Sequence, residues 1–170
     1  MSQTDYLDLE LSIGAGSATP DGAARYPIAV LRSPAGEAQG AMDWPWSPGQ
    51  LALLLDELHS AVLGAPARPT EALMRRAGEQ LFSALFGGDI GYCYDASRAT
   101  ARAQGAGLRL KLRIEAPDLL AAPWELLYDP RAAEFLCLAR QTPVVRYLAI
   151  PQPVQPLAVE PPLRILGMAA

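Results

Sequence analysis

A mixed α/β fold follows from the way hydrophobic period changes along these 170 residues. Leu7, Leu9, Leu11 and Ile13 alternate with Asp8, Glu10 and Ser12, the period of a half-buried strand. Through the middle, Leu73, Ala77, Leu81 and Leu85 recur every fourth residue, a helical stripe. From Leu108 the alternation returns: Leu108, Leu110, Leu112 and Ile114 interleave with Arg109, Lys111, Arg113 and Glu115. The expected order is an N-terminal antiparallel β unit, central helices and a C-terminal set of strands.

Each element has its own local signal. Tyr26 to Arg32 is a second β-rich run, and the Gly/Ala/Pro-rich stretch Gly14 to Ala24 before it reads as a long hairpin loop. Ser33 to Gly36 is a turn, and Glu37 to Asp43 supplies a short third strand, completing a small antiparallel sheet. The first helix has Ser47 as cap, Pro48 at its first position and Gln50 completing a capping box. Trp46 and Leu51 occupy the positions of a hydrophobic staple. Leu51, Leu54, Leu55, Leu58 and Val62 give this helix one apolar face, and Gly64 offers its stop. After the linker Ala65 to Pro69, a second helix opens at Thr70 and ends at Gly87 and Gly88; Asp89 is placed to cap a third, running to about Arg102. Ala116 to Pro123 is a connection with room for a helical turn. Phe135 to Leu138 and Val144 to Leu148 read as further strands, and Ile150 to Pro162 as an extended proline-rich bridge. Leu163 to Met168 reads as the start of another buried strand. The boundary falls at a change of pattern, giving a β-hairpin plus helical module over 1–104 and opening strands of a second unit over 105–170.

Composition excludes several classes. With 51% hydrophobic and 19% charged residues the chain is globular, and a net charge of -4 gives no general attraction to nucleic acid or anionic membrane. The acidic, alternating N-terminus is no signal peptide, and no apolar run approaches the ~20 residues that span a bilayer. Cys93 and Cys137 are too few for a disulfide framework, so reduced thiols in a cytoplasmic setting are expected.

Candidate chemistry is sparse. His59, the single histidine, falls off the apolar face of the first helix and reads as solvated. Cys93 early in the third helix and Cys137 inside an apolar strand read as buried core thiols. No nucleophile–base pair results, and zinc, which takes about four such ligands, has no set here; no catalytic residue, metal or cofactor is expected. Gly14-Ala15-Gly16 lacks the third glycine and the following helix of a dinucleotide loop. The stripe Arg109, Lys111, Arg113 reads as a solvated face or as partners for acidic residues on a neighbouring strand, with no interleaved aromatics for single-stranded nucleic acid. Trp44 is placed for packing under the sheet. In Pro123-Trp124-Glu125-Leu126-Leu127-Tyr128-Asp129-Pro130, Trp124, Leu126 and Leu127 read as core-facing and Asp129-Pro130 as the start of a turn.

The strand Leu108 to Glu115, the segment Leu120 to Pro130 with its Pro-Trp-Glu-Leu-Leu-Tyr-Asp centre, Phe135 to Leu138 and Thr142 to Leu148 together resemble the opening of bacterial CHAT domains, which are caspase-like. The helix after Trp46, the Leu81 to Gly88 segment and Leu163 to Met168 resemble the same proteins' N-terminal regions and following strand. The resemblance implies a caspase-type α/β sheet and, for the family, a His–Cys protease in signalling or defence against phage. Its catalytic histidine and cysteine have no counterpart in this chain. Pro123, Trp124, Glu125, Leu126 and Leu127 match the motif and are expected to be structural. The chain is therefore expected to be the non-catalytic N-terminal part of such a protease, with the rest of the caspase-like domain or a second chain as partner. The other reading is a stand-alone interaction adaptor. An unfinished final strand would belong to a shortened chain, a proteolytic product or a split gene.

Overall fold

The computed structural model describes residues 5–18, 24–62 and 70–147. The order is β1 (Tyr6–Ile13), β2 (Ser17–Ala18), β3 (Ala24–Arg32), β4 (Ala38–Asp43), α1 (Pro48–Val62), α2 (Thr70–Leu85), α3 (Gly88–Ala103), β5 (Gly107–Ile114), β6 (Tyr128–Asp129), β7 (Glu134–Phe135) and β8 (Val144–Tyr147). The side chain of Val62, the stop at Gly64, the Ala65 to Pro69 linker, Leu148, the proline-rich bridge and the Leu163 to Met168 strand lie outside the described residues.

The predicted mixed α/β class is the observed one. β3 pairs antiparallel with β1 on one side and β4 on the other, and β2 continues the line of β1 along the same edge of β3. β1 also pairs in parallel with β5, from Tyr6 opposite Gly107 to Ile13 opposite Ile114, and β5 pairs in parallel with β8. The sheet thus reads β4-β3-β1-β5-β8. It crosses the expected 104/105 boundary, and one apolar core collects residues from both sides of that position.

Alternation and register together separate the two faces. Leu9, Leu11, Ile13, Leu108, Leu110 and Leu112 point inward beneath α2 and α3, which contribute Ala77, Leu81, Phe82, Leu85, Ile90 and Tyr94. The other face carries the polar half of the pattern. In-register parallel pairing sets Asp8 opposite Arg109 and Glu10 opposite Lys111. Arg109 Nε lies 2.7 Å from Asp8, Lys111 Nζ 3.7 Å from Glu10 and Arg113 2.8 Å from Glu115. The basic stripe is therefore committed to acidic neighbours, largely on β1.

The capping box of α1 is formed: the Gln50 N–H donates to Ser47 Oγ (3.3 Å) and the Ser47 N–H to Gln50 Oε1 (2.8 Å). Leu54 is buried and Leu51, Leu55 and Leu58 are half-buried, so α1 sits at the margin of the core rather than in it. Trp44 is buried against Tyr26, Trp46 and Trp124. Two local expectations are corrected. α3 begins at Gly88 with Gly87 as its cap, which has no side chain to make a capping bond; Gly88 makes the turn at a positive φ of 53°, and Asp89 lies in the first helical turn. The expected strand Phe135 to Leu138 is only Glu134–Phe135, paired with Tyr128–Asp129, followed by a 3-10 turn over Leu136–Leu138. The turn drives Leu136 into the core, where its N–H donates to the Leu127 carbonyl (2.9 Å). No described helix is long and apolar enough to cross a membrane.

Candidate functional site

The segment from Pro123 to Asp129 passes between α2 and the end of the sheet, and its sequence explains its shape. Trp124–Leu126 forms one 3-10 turn after Pro123, closed by the Leu126 N–H on the Pro123 carbonyl (2.9 Å). Trp124 has no exposed surface, and its indole N–H donates to the Leu119 carbonyl at 3.0 Å, so the polar tip is satisfied inside the core. Leu127 is fully buried and Leu126 half-buried, while Glu125 points outward and meets Arg146 on β8 at 2.9 Å. Gly78 makes this packing possible: a Cβ there would lie 2.0 Å from the Leu126 carbonyl oxygen.

Asp129 is the residue that the sequence does not reveal. It has no exposed surface and receives Arg98 Nη1 at 2.7 Å, the Arg131 backbone N–H at 2.9 Å and Arg131 Nε at 3.2 Å. Arg131 in turn forks onto Asp95 at 2.7 and 2.9 Å. Burial alone raises the Asp129 pKa, but the hydrogen bonds and charge of Arg131, with Arg98 behind it, hold it below the ordinary carboxylate range. The network clamps the β6–β7 hairpin onto α3, and its partners come from distant parts of the chain.

The residues capable of nucleophilic chemistry are not brought together. His59 is exposed on α1. Cys93 is buried on α3, 3.3 Å from Ser33 Oγ in the β3–β4 turn. Cys137 corrects the sequence reading: it is exposed on the 3-10 turn, because Leu136 rather than Cys137 takes the inward position. Partial desolvation raises its thiol pKa, a backbone hydrogen bond opposes this and the Glu125 charge adds to it; the net rise is the reverse of what a nucleophile needs. Among the described residues no His, Cys, Asp and Glu group could hold a metal ion.

No family model, curated protein or solved structure matches this chain.

One concave feature has a charged lining that the fold leaves largely uncommitted, with only Arg98 paired. A cleft of about 470 Å³ lies between the end of α3, the start of β5 and the 139–142 turn, lined by Arg98, Arg102, Glu134, Arg140 and the apolar Ala106 and Leu108. None of these charged residues stood out in the sequence, since they come from three separate segments with no shared motif.

Proposed function

We propose that the chain is the non-catalytic, regulatory N-terminal part of a bacterial CHAT-domain, caspase-like cysteine protease acting in signalling or defence against phage. The observation that carries this reading is the Pro123 to Asp129 segment, the most specific part of the resemblance. Its side chains are engaged in packing, in the Trp124 to Leu119 hydrogen bond and in the Asp129 ion-pair network. In this reading the segment braces the fold beside a catalytic unit that supplies the nucleophile. The parallel neighbours β5 and β8 are also compatible with the opening of a caspase-type sheet.

The test combines the full chain with a caspase-like domain carrying the His–Cys dyad and follows cleavage of fluorogenic peptides. The chain alone is expected to give no turnover, to co-purify with that domain and to change its cleavage rate. Turnover by the chain alone that disappears on His59→Ala with Cys93→Ala and Cys137→Ala would overturn the assignment. Stable association only with a partner lacking such a dyad would assign the adaptor role instead.

A further inference from the structure

The cleft beside the end of α3 has two fixed walls. Arg98 and Arg102 are one turn apart on the same face of α3. Arg98 is held in place by the buried Asp129 at 2.7 Å. Across the cleft, the turn bearing Arg140 is tied to the sheet, since the Gln141 carbonyl accepts the Leu108 N–H (2.7 Å) and the Arg140 carbonyl accepts the Tyr6 hydroxyl (2.9 Å). The backbone of both walls is thus set before any ligand arrives, which lowers that part of the ordering cost of binding.

The charges are the informative part. Arg102, Arg140 and Glu134 all line the cleft and none of them forms an ion pair with a described residue, whereas Arg98, the fourth charged group of the lining, is paired with Asp129. A simple anion there meets Glu134, and a simple cation meets the two guanidinium groups. A ligand carrying both charges satisfies all three. Ala106 and Leu108 are buried in its floor and the half-buried Ala139 adds a small apolar contact, and about 470 Å³ lies within the range of small-molecule sites.

We propose that this cleft binds a small zwitterion of amino-acid or dipeptide size, its carboxylate held by Arg102 and Arg140 and its ammonium by Glu134. Guanidinium suits the planar carboxylate, and the carboxylate of Glu134 accepts from the ammonium. The site stands apart from the proposed protease role, because it requires only the cleft and its three uncommitted charges.

Calorimetric titration of the full chain with the common free amino acids and with Leu-Leu tests this. At least one free zwitterion is expected to bind saturably, and its N-acetyl and carboxamide derivatives to bind at least about tenfold more weakly. Arg102→Ala and Arg140→Ala should each weaken binding by a similar factor, while Glu134→Gln should weaken the free amino acid and leave its N-acetyl derivative unchanged. Arg102 and Arg140 are exposed, so circular dichroism of these variants should match the parent chain. Absence of saturable binding by every zwitterion at millimolar concentration overturns the proposal. Binding of inorganic phosphate or of the N-acetyl derivative as tightly as the free form, insensitive to Glu134→Gln, overturns it too and marks a plain anion site.

Discussion

Asp129 keeps a charge with none of its surface exposed, and two arginines make that tenable. Replacing it by asparagine leaves Arg98 and Arg131 facing a neutral amide. Losing one member of a fully buried pair costs about 3–5 kcal/mol, but both arginines keep contact with water, at 37% and 55% exposure, so a loss of roughly 2–3 kcal/mol is expected. Urea denaturation measures it. The folded-state pKa is depressed, so the carboxylate's contribution is fully present above the ordinary aspartate value of ~3.9 and disappears as pH falls through the folded value. The stability gap between the parent chain and Asp129→Asn should therefore narrow on acidification below about pH 4. A gap that widens there would contradict the depressed pKa. Trp124→Phe removes the donor to the Leu119 carbonyl and also leaves a cavity where the second ring of the buried indole sat, so about 2–4 kcal/mol should be lost in the same assay.

At the scale of the element, α2 shows how packing reverses a propensity. Glycine inside a helix costs up to ~1 kcal/mol relative to alanine, so propensity alone favours Gly78→Ala. The new Cβ, however, would lie 2.0 Å from the Leu126 carbonyl oxygen and 2.8 Å from Tyr128 Cβ, both on the segment that carries Trp124 and Asp129. Overpacking of this kind costs about 1–3 kcal/mol, so the substitution should destabilise by roughly 1–2 kcal/mol net. Gly49, in the first turn of α1, has nothing within 4 Å of the corresponding position. Gly49→Ala should be neutral or stabilising by a few tenths of a kcal/mol. Equal effects at the two glycines, measured by chemical denaturation, would show that the close approach of α2 to the 126–128 segment is not tight.

For the whole molecule, the decisive fact is that the first and fifth strands are neighbours. β1 lies between β3 and β5, so the core around Leu9, Leu11 and Ile13 is completed by residues from both halves of the chain. A fragment of residues 1–104 would keep the β1–β3–β4 hairpins and the helices, but would expose one edge of β1 along its whole length. It should show no cooperative thermal transition, and mixing it with a 105–170 fragment should restore one. A cooperative transition in the isolated 1–104 fragment would instead establish the expected boundary as a folding boundary. The same topology explains the polar face of the sheet, where charges on β1 and β5 neutralise each other across that boundary.

Local chemistry was legible from the residues because it repeats over short distances. Alternation marked β1 and β5, the four-residue stripe marked α2, and Ser47 with Gln50 marked the start of α1. The acidic residues of β1 were even foreseeable as partners of the β5 stripe, since charge and period alone pose that possibility. What periodicity does not encode is which strands meet and in what direction; parallel pairing of β1 with β5 depends on how α2 and α3 cover a shared apolar face. It also does not encode contacts between distant side chains, such as Arg98 with Asp129 across 31 residues. For the same reason Cys137 turned outward: the carbonyl that captures the Leu136 N–H belongs to Leu127, and that meeting exists only in the folded chain. The sequence by itself marked β1, β3, α1, α2 and β5 and their polarity. The tertiary structure decided their neighbours, the burial of Asp129 and the gathering of Arg102, Glu134 and Arg140 around one cleft, because each of these is set by contacts between segments rather than within one.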